Sequence, residues 1–182
     1  QASRVGPANF KLKVSSITGV PPDTAVISSS LVTAGPLIAG DSFDVMVEVS
    51  SNTTGLIPSA GTLRVNYPSD SVTLDSVTGA QLGPALLGPE EGTAPNVFKD
   101  VSNLGDVSNT DSTPEIFTLT FTVNPGAASP FDIVVGDDPE ASLNLPAVDI
   151  TTEIPHTFDN TGVTGLTVEP PASVGDWKQL DD

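Results

Sequence analysis

The sequence predicts an all-β protein built from short antiparallel strands. In the segment Gly40 to Val49, apolar residues alternate with mostly polar ones. In an extended chain this alternation places four apolar side chains on one face, those of Phe43, Val45, Val47 and Val49. Such period-2 alternation is typical of a half-buried β-strand. The 182 residues also include 17 Pro and 16 Gly, and Pro inside a helix removes a backbone hydrogen bond and clashes with the preceding turn. Short strands and frequent turns are therefore expected along the whole chain.

Similar patterns predict the other strands in chain order. The first covers Phe10 to Val14, where apolar residues alternate with lysine. Residues 79–95 contain several Gly and Pro and predict a long surface loop with room for one helical turn. We therefore expect an N-terminal arm over residues 1–26, a single β domain over residues 27–168 and an acidic C-terminal tail over residues 169–182. The remaining predicted strands are Ala25–Val32, Gly40–Val49, Thr62–Tyr67, Ser71–Val77, Asn96–Val101, Ile116–Val123, Ile133–Val135, Ser142–Leu145 and Gly165–Val168.

Charge and composition exclude several classes of partner and site. The net charge is −17, from 23 acidic and 6 basic residues, and a surface this acidic repels nucleic acid phosphates and anionic lipid headgroups. Cysteine is absent, which excludes disulfides and thiolate metal sites. No stretch approaches the roughly 18 to 20 apolar residues of a membrane span. We expect neither nucleic acid binding nor membrane insertion, and a first residue Gln1 fits either a processed mature end or a cloning boundary.

Three segments carry a resemblance to a known family. They are AGDSFDVMVEVSS (residues 39–51), GTLRVNYPSDSVTLDSVTGAQL (residues 61–82) and EIFTLTFTVNPGAAS (residues 115–129). Their order and patterns resemble the cohesin-like domain, a jelly-roll β-sandwich of extracellular bacterial and archaeal proteins. The resemblance implies an antiparallel β-sandwich of jelly-roll type that serves as an extracellular interaction module with a protein partner. The family's Tyr-Asp-Pro turn is replaced here by Tyr67-Pro68-Ser69-Asp70, and no residue set justifies carrying over the dockerin-binding face of cohesins.

The sequence offers little for catalysis. His156 is the only histidine, and its neighbours Ile154-Pro155 and Thr157-Phe158 are typical of a strand edge rather than a nucleophile elbow. Asp and Glu are plentiful, yet no spacing singles out an acid and a nucleophile. We therefore expect a protein that is not an enzyme.

Two groups of side chains are candidates for binding Ca²⁺. Carboxylate and amide oxygens are ligands that Ca²⁺ prefers, although Asp and Asn in ordinary turns hydrogen-bond their own backbone. Acidity can also reflect solubility or adaptation to salty surroundings. Both interpretations stay open at this point. The candidate ligands are Asp106, Asn109, Asp111 and Glu115 in the first group, and Asp137, Asp138 and Glu140 in the second.

Two further features concern modification and assembly. Asn52-Thr53-Thr54 is an N-glycosylation sequon, which makes Asn52 a candidate acceptor in a glycosylating source. The N-terminal arm could leave its own domain and complete the sheet of a neighbouring subunit, because exposed sheet edges recruit strands through unpaired backbone groups. Its basic charge would favour binding to an acidic body, but pairing within its own domain is the simpler alternative. The candidate self-assembly residues are Phe10, Leu12, Val14 and Ile17.

Taken together, these features predict a non-catalytic structural or interaction module that is extracellular or on the cell surface. Its expected partner is a protein, including a second copy of itself, within a filament, a surface layer or an adhesive assembly. The alternative is a carbohydrate-binding module, because sandwiches of this shape often bind glycans. Glycan platforms usually need several exposed aromatic rings, and this chain has one Tyr and one Trp, at positions 67 and 177.

Overall fold

A computed structural model describes residues 23–33, 35–106, 108–138 and 154–169. These ranges contain β-strands and no helix, and hence no helix that could cross a membrane. The strands are β1 (Ala25–Leu31), β2 (Leu37–Ile38), β3 (Ser42–Asn52), β4 (Thr62–Pro68), β5 (Val72–Gly79), β6 (Ala85–Leu87), β7 (Glu91–Thr93), β8 (Asn96–Asn103), β9 (Glu115–Val123), β10 (Val134–Asp137), β11 (His156–Gly162) and β12 (Val168–Glu169).

The strands form two facing sheets. The first sheet has the order β11-β1-β3-β9-β5, and the second has the order β10-β4-β8-β6, with β7 also paired to β8. All pairings within these sheets are antiparallel except that of β1 with β11, which is parallel. The short strands β2 and β12 form a separate parallel pair. From β3 to β5 and again from β8 to β11 the chain crosses between sheets at each step, and the predicted jelly-roll sandwich is confirmed.

The core lies between the sheets and is built from the predicted alternation. Phe43, Val45, Val47 and Val49 on β3 are at most 8% exposed. The ring of Phe121 stacks on Phe43 at a centroid distance of 5.4 Å, and Tyr67 from the opposite sheet meets Phe121 edge-on at 5.7 Å. Aromatic contacts of this kind contribute beyond simple area burial. The two sheets are therefore joined by a continuous apolar layer.

An irregularity in β5 explains why its apolar residues do not follow strict alternation. Val72 and Leu74 are fully buried, and the next apolar residue, Val77, packs against the same core. The pairing with β9 shifts between Leu74 and Ser76. A β-bulge adds one residue to one strand, so Val77 returns to the core face despite its odd spacing.

Two expectations about local structure need correction. Residues 79–95 are not simply a long surface loop, because β6 and β7 form there and Leu82 is 2% exposed. Three-residue strands are too short to show alternation, and they form because the edge of β8 offers them backbone partners. Strand β11 has the mostly polar sequence HTFDNTG and was not predicted either. The strands predicted over Phe10–Val14 and Ser142–Leu145 lie outside the described residues.

The two ends of the sandwich are formed by different residues. The His156 end is the end at which β1 and β11 begin, since Ala25 pairs with both His156 and Asn52. The Asp70 end is the opposite one, where β4 ends and Asp70 precedes β5. Thr24 exchanges hydrogen bonds with Thr53 at the His156 end, so the chain enters the sandwich there.

Candidate functional site

The outer face of the second sheet carries a preformed polar centre, which we call the Arg64 face. Side chains on β4 and β8 alternate between core and solvent, and the antiparallel register places Arg64 opposite Asp100 and Asn66 opposite Phe98. Leu63 and Val65 point into the core and are at most 1% exposed. The same alternation that fills the core therefore presents Arg64 on the outer side.

Arg64 is held in place from three sides. Its Nε and Nη2 donate to the two carboxylate oxygens of Asp100 at 2.9 and 3.1 Å, and Nη2 also donates to Asp138 at 2.9 Å. Its Cζ atom lies 3.8 Å from the ring centroid of Phe98. The side chain is only 13% exposed. Bidentate pairing and stacking on an aromatic ring both suit the planar guanidinium group, so this centre is rigid before any partner arrives.

Exposed apolar side chains flank this centre. Leu86 on β6 pairs with Ser102 and is 53% exposed, and Leu104, just after β8, is 42% exposed. Val134 on β10 pairs with Asn66 and is 43% exposed. Large apolar residues on a monomer surface mark contact sites when they lie together and are rimmed by polar groups.

The outer face of the first sheet is different in character. It is covered by hydroxyl groups that bind one another or carboxylates, such as Ser42 with Thr122 at 3.1 Å and Thr120 with Asp44 at 2.8 Å. Thr122 also donates to Asp75 at 2.7 Å. No large exposed apolar side chain of the described residues lies on a strand of this sheet, so the Arg64 face is the better candidate for contact with another protein.

His156 joins the two sheets rather than lining an accessible site. It begins β11 and is 1% exposed, with Nδ1 lying 2.8 Å from the Ile154 carbonyl oxygen and Nε2 lying 2.9 Å from Asp137 on β10. Both ring nitrogens are thus within hydrogen-bond distance of an oxygen atom. Phe158 packs edge-on against the ring at 5.1 Å. This geometry ties β11 to β10 and assigns His156 a structural role.

The first predicted calcium group forms two tight turns. Asp106 accepts hydrogen bonds from the hydroxyl and amide of Ser108, which lower the pKa of its carboxyl group. Asp111 accepts one from the amide of Thr113 and another from Gln81, and these lower its pKa in the same way. Hydrogen bonds to the ionised form favour that form. Both carboxylates are therefore engaged with neighbouring donors.

The other members of that group are directed elsewhere. Asn109 donates to the Pro58 carbonyl oxygen at 2.7 Å, and Glu115 accepts from Thr118 at 3.2 Å. Among the residues that the structure describes, no three His, Cys, Asp or Glu side chains are grouped so that they could hold a metal ion. Calcium binding stays a prediction.

The second predicted group is divided by strand geometry. Asp137 turns inward to His156, whereas Asp138 turns outward to Arg64. Successive residues of an extended chain point to opposite faces, so these two carboxylates bind partners on opposite sides of the strand, and calcium binding by this group stays a prediction. The third member, Glu140, lies outside the described residues.

The sequon asparagine fastens two loops at the His156 end. Nδ2 of Asn52 donates to the carbonyl oxygens of Leu56 at 2.9 Å and Ser112 at 2.8 Å, and Oδ1 accepts from the amide and hydroxyl of Thr54. A glycan on Nδ2 would replace one hydrogen, so only one of the two donated bonds could persist. Modification of Asn52 stays a prediction.

A groove opens at the Asp70 end, which sequence reasoning missed. Its volume is about 410 Å³, and its floor includes Tyr67 and Phe131, which are 3% and 6% exposed. The Tyr67 hydroxyl donates to Glu90 at 2.7 Å, and burial together with this carboxylate raises the pKa of Tyr67. Asp70 and Asp132 also line the groove and are exposed. No sequence signal joins these residues, because they come from separate turns.

Comparison with known proteins concerns the fold. No protein-family model and no curated protein matches the chain. Among solved structures, similarity is found to a cohesin module of a family 33 glycoside hydrolase from Clostridium perfringens ATCC13124, with 11% identity and a TM-score of 0.43, covering 63% of this chain and 85% of that chain. A non-cellulosomal cohesin from Archaeoglobus fulgidus shows 10% identity and a TM-score of 0.36, covering 63% and 74% of the respective chains.

A third similar structure is the third cohesin of ScaC from Acetivibrio cellulolyticus, solved in complex with the ScaB dockerin. It shows 17% identity and a TM-score of 0.41, covering 62% of this chain and 79% of that chain. All three structures are cohesin modules, the family that the sequence motifs resemble. What this chain binds is inferred from its own surface.

Proposed function

We propose that this protein is a non-catalytic, extracellular structural module that binds another protein through the Arg64 face. One observation carries the proposal: a rigid arginine stacked on an aromatic ring lies between exposed apolar side chains on one sheet face. Arginine and aromatic residues are enriched at protein interfaces and among the residues that dominate binding energy.

The energetics of this face favour association. Complete burial of an exposed Leu or Val side chain contributes about 1.5–3 kcal/mol, and Leu86 and Leu104 retain 53% and 42% of their surface for a partner to cover. Arg64 is already held by Asp100 and Phe98, so it loses little rotamer freedom when a partner binds. Preorganisation of this kind raises affinity by lowering the entropy lost on association.

Other features support the non-catalytic and extracellular parts of the proposal. His156 is almost fully buried and hydrogen-bonded through both ring nitrogens, so it is not placed to act on a substrate. The sequence resemblance to a family of secreted modules supports the extracellular location. That resemblance, together with the possible donation of the N-terminal strand, supports membership of a filament, a surface layer or an adhesive assembly.

Glycan binding is less well supported by the surface. Tyr67 is 3% exposed and its hydroxyl is bound to Glu90, so its ring cannot stack on a sugar. Trp177 lies outside the described residues. A glycan array tests this alternative directly: specific binding to any glycan class would favour it over the protein-binding role.

The experiment compares two matched variants. The immobilised chain is incubated with the surface and secreted protein fraction of the source organism, and bound proteins are quantified by mass spectrometry. Leu86→Asp combined with Leu104→Asp places two charges on the Arg64 face, while Thr78→Asp combined with Thr157→Asp places two on exposed positions of the first sheet. We expect the first variant to lose a specific partner and the second to retain it. Equal capture by the two variants would refute the proposal.

A further inference from the structure

The groove at the Asp70 end is suited to an extended cationic segment with alternating apolar residues. Its floor is apolar at Tyr67 and Phe131, and Val134, which is 43% exposed, also lines it. Two exposed carboxylates, Asp70 and Asp132, supply negative charge. An extended segment presents apolar side chains on one side and charged ones on the other, which matches a surface with this distribution.

This chain contains such a segment. In residues 10–14, Phe10, Leu12 and Val14 alternate with Lys11 and Lys13. Residues 1–22 as a whole contain three basic residues and no acidic one, in a protein whose net charge is −17.

The described part of the protein shows the opposite charge. Its basic residues are Arg64 and Lys99, and both are engaged internally. Arg64 is bound to Asp100 and Asp138, and Lys99 donates from Nζ to the Leu74 carbonyl oxygen at 2.8 Å. The surface is therefore dominated by carboxylates, and charge complementarity favours the N-terminal segment as the occupant of the groove.

The point at which the chain enters the sandwich and the groove are at opposite ends. The chain enters through Thr24 at the His156 end, and the groove is at the Asp70 end. Strand β3 has 11 residues and runs between these ends, which corresponds to about 36 Å at the usual rise per residue. An arm that leaves one end of a copy is thus placed to meet the groove of a copy stacked beyond that end. Such a heterologous contact does not close on itself and builds a linear filament.

A sheet edge beside the groove is closed to an added strand. The side chain of Asn160 accepts from the Val135 amide at 3.1 Å and donates to the Val135 carbonyl oxygen at 3.0 Å. These are the backbone groups that β10 would offer to a new strand on the side away from β4. We therefore assign the arm to the groove and not to the edge of β10.

We propose that residues 10–14 of one copy bind in the Asp70-end groove of the next copy, so that the protein assembles head to tail. This inference builds on the proposed role as an assembly module and names a second copy as one partner. Phe10, Leu12 and Val14 cover the apolar floor, and Lys11 and Lys13 lie near the carboxylates of the rim.

The test uses the full chain and analytical ultracentrifugation over a range of concentrations. The arm variant is Lys11→Glu/Lys13→Glu, and the groove variant is Asp70→Lys, which leaves the Arg64 face unaltered. We expect the unaltered chain to associate into a series of oligomers. In each variant the association constant should fall by about tenfold or more. A 1:1 mixture of the two variants is expected to restore association, because the unaltered arm of one fits the unaltered groove of the other. Circular dichroism and melting curves establish that each variant is folded.

A matched control separates binding of the arm in the groove from a bulk charge effect. Glu48→Lys makes the same charge change of two units as Asp70→Lys, but on the first sheet, and should leave association intact. Loss of association in Glu48→Lys would indicate a bulk charge effect and overturn the inference. A monomeric full chain, or association that persists in both variants, would also overturn it.

Association abolished only by Leu86→Asp/Leu104→Asp would assign self-contact to the Arg64 face. In that case the proposed function stands and the arm-in-groove inference falls. If the arm and groove variants behave as expected while the Arg64 face captures no partner, the arm-in-groove inference stands and the proposed function falls.

Discussion

Replacement of Arg64 tests whether the Arg64 face is a preorganised unit. Arg64→Met removes three charge-assisted hydrogen bonds and the stacking on Phe98. The side chain of Asp138 is 8% exposed, whereas that of Asp100 is 28% exposed. Removal of one member of a buried ion pair costs about 3–5 kcal/mol, since the remaining charge stays desolvated. We therefore expect Arg64→Met to lower the free energy of unfolding by about 3 kcal/mol or more, most of it through Asp138.

Two companion variants locate the source of that loss. Arg64→Met/Asp138→Asn removes the buried charge as well, and we expect it to regain much of the stability lost in the single variant. Arg64→Lys keeps the positive charge without the fork that binds Asp100 through two nitrogens, so it should fall between the original protein and Arg64→Met.

The assay is urea unfolding followed by circular dichroism, with melting temperature as a second measure. For a chain of this size, about 3 kcal/mol corresponds to a decrease of roughly 6–12 °C in the melting temperature. A loss below about 1 kcal/mol for Arg64→Met, the range of an exposed pair, would refute the reasoning. So would a double variant that is no more stable than the single one.

Three other predictions concern the rest of the sandwich. Gly162→Ala would place Cβ 2.6 Å from a backbone oxygen of β1, so we expect the free energy of unfolding measured in urea to fall by about 1–3 kcal/mol. The control Gly136→Ala, whose Cβ would meet nothing within 4 Å, should be neutral. Equal effects of the two substitutions would contradict this prediction. Hydrogen bonds within their turns lower the pKa of Asp106, Asp111 and Asp159 from 3.8. The stability from those bonds is therefore present above pH 3.8 and is lost as the pH falls through the folded-state pKa values. The triple Asp→Asn variant should differ from the original protein most at neutral pH, and a pH-independent difference would count against these turns. On the sequence prediction, millimolar Ca²⁺ should raise the melting temperature and a chelator should reverse the rise, and an unchanged melting temperature would exclude both acidic groups.

The core could be predicted because its signal is local. The alternation of Phe43, Val45, Val47 and Val49 specifies which side of β3 is apolar, whatever strand lies beside it, and all four residues are buried. Residues 79–95 were misread for a related reason. Strands β6 and β7 have only three residues each and depend on the edge of β8, so their own sequence carries no period to detect.

The candidate sites depend on residues that are distant in sequence. Arg64 reaches Asp100 and Asp138, which are 36 and 74 residues further along the chain. Asp137 and Asp138 were grouped as candidate ligands because they are adjacent, yet strand geometry sends them to opposite faces.

The fold class, most strand positions, the core face of strands such as β3 and β9, and the separation of basic charge into the N-terminal segment could all be predicted from the sequence. These properties follow from composition and from a two-residue period, which need no knowledge of the neighbouring strand. The three-dimensional structure was needed to show that Arg64 is clamped on an outer face, that His156 joins the two sheets, and that Thr24 and the Asp70-end groove are at opposite ends. Each of these depends on which strands pair and in what register, and a shift of one residue would turn every side chain of a strand to the other face.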